Sequence, residues 1–355
     1  MRVGLTLYGS LDEQSGGFRY DRKLVEGLRA AGDTVECIQL PWRDYHRGLL
    51  DNGSRKLRQR LDVDVDVMLQ DELAHPSLVR TNRALSYPIV SVVHHLRASE
   101  PRRLAPLYRA VERRYLGTVE AVVCNSATTR NVVTNLGVDP EDTTVAPPAG
   151  DQFDPDIDRA TIERRATTEP LQVVFVGNVS PRKGLDTLVD GVAAAAADID
   201  LTVVGRHVDA AHVTSVQERV REHDLANRVQ FAGRLPDGEL AKTLRSSHVL
   251  AVPSRYEGFG IVYLEGMSFG LPALATRAGG AADIVTDDET GVLVDPDDSA
   301  AVARELERFA TDRDRLAEMG WAARRNYETH PDWEETVGRV RDLLSDIVQP
   351  TEVPA

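Results

Sequence analysis

Residues 249–270 read VLAVPSRYEGFGIVYLEGMSFG. The stretch opens as a short apolar strand, turns at Ser254–Gly260, and continues as a helix from about Ile261. Gly258 and Gly260 allow backbone N–H groups to approach a ligand at the helix start. Glu257 lies before the turn and Glu265 about one turn into the helix. Eight residues span roughly 12 Å if all helical, so the two acids do not share a proton. They suit the two ends of an extended ligand whose anionic centre lies over the helix N-terminus.

The same strand–turn–helix alternation runs outward in both directions. The first half offers strands at 3–7, 34–40, 67–70, 88–94, 121–125 and 143–146. The second half offers them at 171–177, 201–205, 229–233, 249–253, 273–276 and 291–294. Val-rich runs separated by amphipathic segments predict parallel sheets covered on both faces. The stretch 147–170, rich in Pro, Asp and Thr, breaks the pattern and reads as a linker. The expected organisation is a domain over 1–150, a linker over 151–168, a domain over 169–330, and a helix over 331–348. That helix carries an apolar stripe needing a surface, taken to be the first domain. In doubly wound sheets ligands bind beyond the strand carboxyl ends, and two such domains facing each other leave a cleft.

Composition bounds the function. The 355 residues are 42% hydrophobic and carry a net charge of −14, which argues against nucleic-acid binding. The acid is concentrated: residues 1–165 net −1 and residues 166–355 net −13. No apolar run reaches the roughly 18 residues of a membrane span. The start, MRVGLTLYGSLDEQSGG, reads as strand and loop and lacks a signal-peptide pattern, so a cytoplasmic protein is expected. Cys37 and Cys124 are too few for a metal cage or disulfide framework. Asp62, Asp64 and Asp66 form D-x-D at the start of a strand and read as solvated acids. Asp154, Asp156 and Asp158 lack the Gly and Glu of a calcium loop.

Three further segments carry candidate chemistry. After the strand LQVVFVG, the sequence NVSPRKGLDTL (178–188) places Gly177, Asn178, Arg182, Lys183 and Gly184 ahead of a helix, a site suited to phosphate. The loop GSLDEQSGGFRYDRK carries Gly16 and Gly17 before another helix. His94 and His95 end the strand PIVSVVHH, where one of the two can reach ligand.

Together these residues resemble the family 4 retaining glycosyltransferases, which have the GT-B fold. EGFGIVYLEGMSFGLPALATRAGG is similar to their E-x7-E block, and NVSPRKGLDTL to their phosphate-binding loop. FAGRLPDGELAKTLRSSHVLAVPS and ADIVTDDETGVLVDPDD follow the family's order across 171–300. The Gly-Gly loop, VVHHLR and CNSATTR fit its acceptor domain. The resemblance implies two Rossmann-like domains, the last helix crossing back to the first. It also implies a nucleotide-sugar donor, no cofactor and no metal.

By position, Glu257 would contact the transferred sugar, and Gly258, Phe259, Gly260 and Ile261 would offer backbone to sugar and diphosphate. Glu265 would hold the ribose, with Arg234 and Leu235 near the base. Arg182 and Lys183 would neutralise the departing diphosphate, Gly17 would approach it, and His94 rather than His95 would touch the sugar. Two departures stand out: Asn178 where the family often has Arg, and Asp283 where it usually has Glu. The implied reaction is retaining transfer of a hexosyl group to a glycan, lipid-linked or other hydroxyl acceptor. Alternatives are a sugar-nucleotide epimerase of the same fold and a non-catalytic partner subunit. Segments 41–61 and 97–116 each carry six basic and two acidic residues. They suggest peripheral contact of the first domain with an anionic membrane.

Overall fold

A computed structural model describes residues 1–13, 15–99 and 104–348. The chain divides into two compact units. One is Met1–Ala149 with the C-terminal segment from Pro331, and the other is Gly150–His330.

The first unit holds β1 (Arg2–Tyr8), β2 (Thr34–Leu40), β3 (Val67–Asp71), β4 (Ile89–Val93), β5 (Ala121–Cys124) and β6 (Thr143–Val145). They form one sheet in the order β2-β1-β3-β4-β5-β6, and every pairing is parallel. The apolar runs are continuous because both faces are covered. Successive side chains point to opposite faces. Val67, Leu69, Val90, Val92 and Val123 enter a core with Val3, Leu5 and Leu7. Met68, Ile89, Val93, Val122 and Cys124 enter the opposite one.

Helices Gly16–Ala30 and Trp333–Val348 cover the first of these faces, through Leu24, Leu28, Val337, Val340 and Leu344. The terminal helix is held by polar contacts as well. Arg341 Nε donates to Asp33 at 2.7 Å and the Thr336 hydroxyl to the Pro147 carbonyl at 2.6 Å.

The second unit holds β7 (Leu171–Val176), β8 (Ile199–Val204), β9 (Val229–Gly233), β10 (Val249–Ala251), β11 (Ala273–Thr276) and β12 (Gly291–Val294). Their order is β12-β11-β10-β7-β8-β9, again all parallel. All twelve expected strands are present, and the small differences have local causes. β4 starts after Pro88 and β10 stops before Pro253, since proline offers no N–H to a ladder.

The segment read as a linker is built into the second unit. Helix Arg159–Ala166 lies within it, capped by Asp158, which accepts from Thr161 N at 2.8 Å. Ile162 and Ala166 enter the second core, and Arg165 donates to the carbonyls of Phe269 and Gly270 at 3.0 and 2.7 Å. Two buried residues in eight give too short an apolar stripe to stand out in sequence. At the start of β3, Asp64 and Asp66 pair with the Arg2 guanidinium.

Strand order fixes where ligands can bind. Each sheet reverses direction of growth at one place, between β1 and β3 in the first and between β7 and β10 in the second. Loops leaving neighbouring strands at such a point run to opposite faces and open a crevice at the carboxyl ends.

Candidate active site

At the β7/β10 switch point the two loops meet through charge. The β7 loop ends in a single turn, Pro181–Lys183, before helix Leu185–Ala194. The β10 loop carries Ser254–Gly260 before helix Ile261–Ser268, with Gly260 at the N-cap in the left-handed region (φ +96°). Lys183 Nζ lies 2.5 Å from Glu257 Oε2, and Arg182 Nη1 lies 3.4 Å from Oε1. The Ser254 hydroxyl donates to Oε2 at 3.1 Å. Burial by itself pushes the Glu257 carboxyl up. The charges of Lys183 and Arg182 and the hydrogen bonds from Lys183 and Ser254 outweigh it and hold the group down to about 2.

The Glu257 backbone is as closely held as its side chain. Its N–H donates to the Ala278 carbonyl at 3.2 Å, and its carbonyl accepts from Gly280 N at 2.8 Å. Gly279 sits at φ +94°, and a Cβ there would lie 2.0 Å from the Glu257 carbonyl oxygen. No other residue fits that position without moving Glu257. Arg255 ties the β7 loop down from outside: its backbone N–H donates to the Arg182 carbonyl at 2.8 Å, and its guanidinium pairs with Asp186 in the following helix at 2.8 Å and with Asp297 at 2.7 Å. Two cations against one carboxylate leave a positive excess here, within a unit that carries 20 basic and 31 acidic residues.

The β1/β3 switch point is built differently. Glu72, buried in the turn after β3, accepts the backbone N–H of His94 at 3.0 Å and of His95 at 3.3 Å. Asn125, after β5, donates to the His94 carbonyl at 2.9 Å. The His94 ring lies 3.3 Å from Asp21 through Nε2 and edge-on to Tyr20, centroids 5.0 Å apart. Asp71 completes the group, with one oxygen or nitrogen from each of Asp21, Asp71 and His94 lying within 4.8 Å of the others. Burial, then the nearby charges of Asp21 and Glu72, push the Asp71 carboxyl well above the usual range.

Comparison with known proteins agrees with both halves. Residues 157–326 match the family described as Glycosyl transferases group 1, and residues 17–151 match Glycosyltransferase Family 4. The chain belongs to the family 4 glycosyltransferases.

One relative of this family 4 chain is the D-inositol 3-phosphate glycosyltransferase of Corynebacterium kroppenstedtii. It is 30% identical over 68% of this chain and 56% of its own length. Another is the GDP-mannose-dependent alpha-(1-6)-phosphatidylinositol monomannoside mannosyltransferase of Mycobacterium tuberculosis. It is 29% identical over 68% of this chain and 66% of its own. The chain spans about half the length of the curated relatives it matches. Among solved structures, sucrose-phosphate synthase from Thermosynechococcus elongatus superposes with a TM-score of 0.84 at 21% identity. The match covers 99% of this chain and 100% of that one. Anabaena HepE with UDP and glucose superposes with 0.77 at 18%, over 98% and 100%. These likenesses show the GT-B fold.

Within the family 4 framework, the structure brings Glu257, Lys183 and Arg182 into direct contact. Gly177, Asn178, Gly258 and Phe259 lie on the same two loops, and Ile261 opens the helix after the second. Asn178 is exposed and Phe259 is packed into the core. Glu265 is buried at the fifth position of its helix. Arg234 and Leu235 follow β9, at the same sheet end but two strands from β7. In the first unit, a Cβ on Gly16 would meet open space, whereas one on Gly17 would lie 3.2 Å from the His94 ring. Gly17 is thus fitted to His94 in this structure.

The sequence reading missed Asp21, Asp71, Glu72 and Asn125 beside His94, and Ser254 and Arg255 beside Glu257. The acids after β3 carried one signal, a polar pair directly following an apolar run.

Proposed function

We propose that this protein is a retaining glycosyltransferase that moves a hexosyl group from a nucleotide-sugar donor to a hydroxyl acceptor, in the synthesis of a glycan or glycolipid. The observation that carries this reading is the Glu257–Lys183–Arg182 cluster at the β7/β10 switch point. Lys183 and Arg182 neutralise the diphosphate as it departs, the charge that a metal ion supplies in other transferases, so no metal is assigned to this step. Glu257 stays ionised and positions the sugar, which develops oxocarbenium character. The acceptor hydroxyl attacks on the face the diphosphate leaves, giving its proton to the departing phosphate. Glu265 holds the ribose and His94 touches the sugar.

The relatives' activities set the order of a screen. Thermal shift with GDP-mannose and then other GDP-, UDP- and ADP-sugars should find one donor that raises Tm. Incubating that donor with inositol phosphates and phosphatidylinositol should yield a glycoside, whose anomeric configuration by NMR matches the donor. If no nucleotide sugar stabilises the protein, the donor assignment is wrong. Epimerised donor without acceptor would identify an epimerase instead.

A lipid acceptor would suit the first unit. Exposed Trp42, Leu50, Leu104 and Leu107 accompany helix Tyr45–Asp51 and the basic helices Arg55–Leu61 and Ala105–Leu116. Residues 100–103 of the second basic segment lie outside the described residues. Among the described residues no helix is long and apolar enough to cross a membrane, so the proposed contact is peripheral. Flotation with vesicles containing phosphatidylserine, against neutral vesicles, tests it. Equal recovery would remove the membrane contact.

A further inference from the structure

Asp21 and Asp71 are both 0% exposed, and their carboxylates face each other at the β1/β3 switch point. Each has one oxygen accounted for. Asp21 Oδ1 faces His94 Nε2 at 3.3 Å, and Asp71 Oδ1 accepts from Leu73 N at 2.8 Å. Oδ2 of each is buried with no hydrogen-bond partner. Two neighbouring ionised carboxylates with bare oxygens would be costly away from water, both from desolvation and from mutual repulsion. One proton held between them removes both costs, because a protonated carboxyl is a donor and the other oxygen an acceptor.

We propose that Asp21 and Asp71 form a buried pair holding a single proton, carried on Asp71. The remaining charge, on Asp21, then keeps the His94 ring protonated and oriented. Asp21 and Asp71 are thus positioning residues acting through His94. With Nε2–H turned to Asp21, Nδ1–H is left to donate to an oxygen of a bound sugar.

The surroundings fit. Gly17 leaves room for the ring, and Tyr20 packs edge-on against it. The titratable groups facing His94 are Asp21 and Tyr20 from helix Gly16–Ala30, Asp71 at the end of β3, and Glu72 in the following turn. His95 is its chain neighbour. Glu72 already accepts two backbone N–H groups and so fixes the ring's main chain. Burial lowers the proton affinity of His94, and Asp21 and Glu72 more than reverse this, raising it above that of an ordinary histidine. The assignment of His94 to the sugar rests on the proposed function, but the protonation of the ring does not.

The test is NMR of the full chain labelled with ¹⁵N-histidine, with the His94 signals identified by their loss in His94→Gln. In wild type His94 should titrate above an ordinary histidine. Asp71→Asn replaces a carboxyl by a neutral isostere and should leave that titration in place. Asp21→Asn should weaken proton binding at His94 at least tenfold. An unchanged His94 titration in Asp21→Asn would overturn the proposal. So would a large rise in wild-type Tm with Mg²⁺ or Mn²⁺ that EDTA reverses, since the acids would then hold a cation. This second measurement needs no variant to fold. Donor binding, read by thermal shift, is scored separately, so failure of the donor assignment leaves the His94 result standing.

Discussion

The two switch points are the same architectural feature with opposite electrostatics. At β7/β10 one carboxylate is surrounded by two cations and a hydroxyl, and Glu257 is held ionised down to about 2. At β1/β3 three acids crowd one another around a histidine, and burial pushes Asp71 and Glu72 up. The fold supplies a crevice in both places. What that crevice can bind is set by the few side chains on its loops. A cation-rich crevice suits a departing diphosphate, and an acid-backed histidine suits a neutral hydroxylated ligand.

The sharpest way to break this contrast is Lys183→Ala. If the cations stabilise a leaving diphosphate, kcat should fall by about 10²–10³-fold, roughly 3–4 kcal/mol of barrier. Turnover near wild type, measured with the donor found by thermal shift, would leave the β7/β10 cluster a structural ion pair only. Next in size is Gly279→Ala. Its Cβ would collide with the Glu257 carbonyl at a left-handed position, so stability should drop by about 2–3 kcal/mol in denaturant unfolding. The corresponding Gly16→Ala in the first unit, where a Cβ meets open space, should cost far less.

Acidity separates the two sites further. Because the folded-state value of Glu257 is depressed, its contribution is complete above 4.5 and is lost as pH falls from there through about 2. Glu257→Gln should flatten the stability curve in that window. His94 has a raised value, so its contribution is complete below 6.5 and is lost as pH rises through the folded value. His94→Gln should flatten the curve on that alkaline side. Matching behaviour of the two variants would contradict the electrostatic difference.

The smallest effect concerns the terminal helix. Burial raises the Asp33 carboxyl, and hydrogen bonds from Arg341 and the N-terminal ammonium outweigh it and lower the group below its ordinary value. Arg341→Ala should lower Tm slightly at neutral pH. That difference should vanish on acidification through the Asp33 titration, since a protonated Asp33 no longer favours the guanidinium.

Much of the second unit was legible in the sequence because its signals are local. VLAVP, the glycine turn and the helix after it occupy one continuous stretch, and Arg182 and Lys183 directly follow another strand. Even there, the sequence reading assigned Glu257 and Lys183 to different parts of a ligand. It did not anticipate that they touch, since 74 residues separate them. The segment 151–168 was misjudged for a related reason. Its two anchors, Ile162 and Ala166, have meaning only against the core they enter.

By itself, the sequence determined the alternation of strand and helix, the parallel sheets and the positions of the loops that bear chemistry. Periodicity and turn residues act over a few neighbours and can be read without a partner. Only the tertiary structure decided which loops meet. Asp21, Asp71, Glu72 and Asn125 reach His94 from a helix, a strand end with its turn, and a loop, spread over a hundred residues. Their proximity follows from the strand order β2-β1-β3-β4-β5-β6, and the raised carboxyls of Asp71 and Glu72 follow from burial. Both are properties of the packed sheet, absent from any short stretch of the chain.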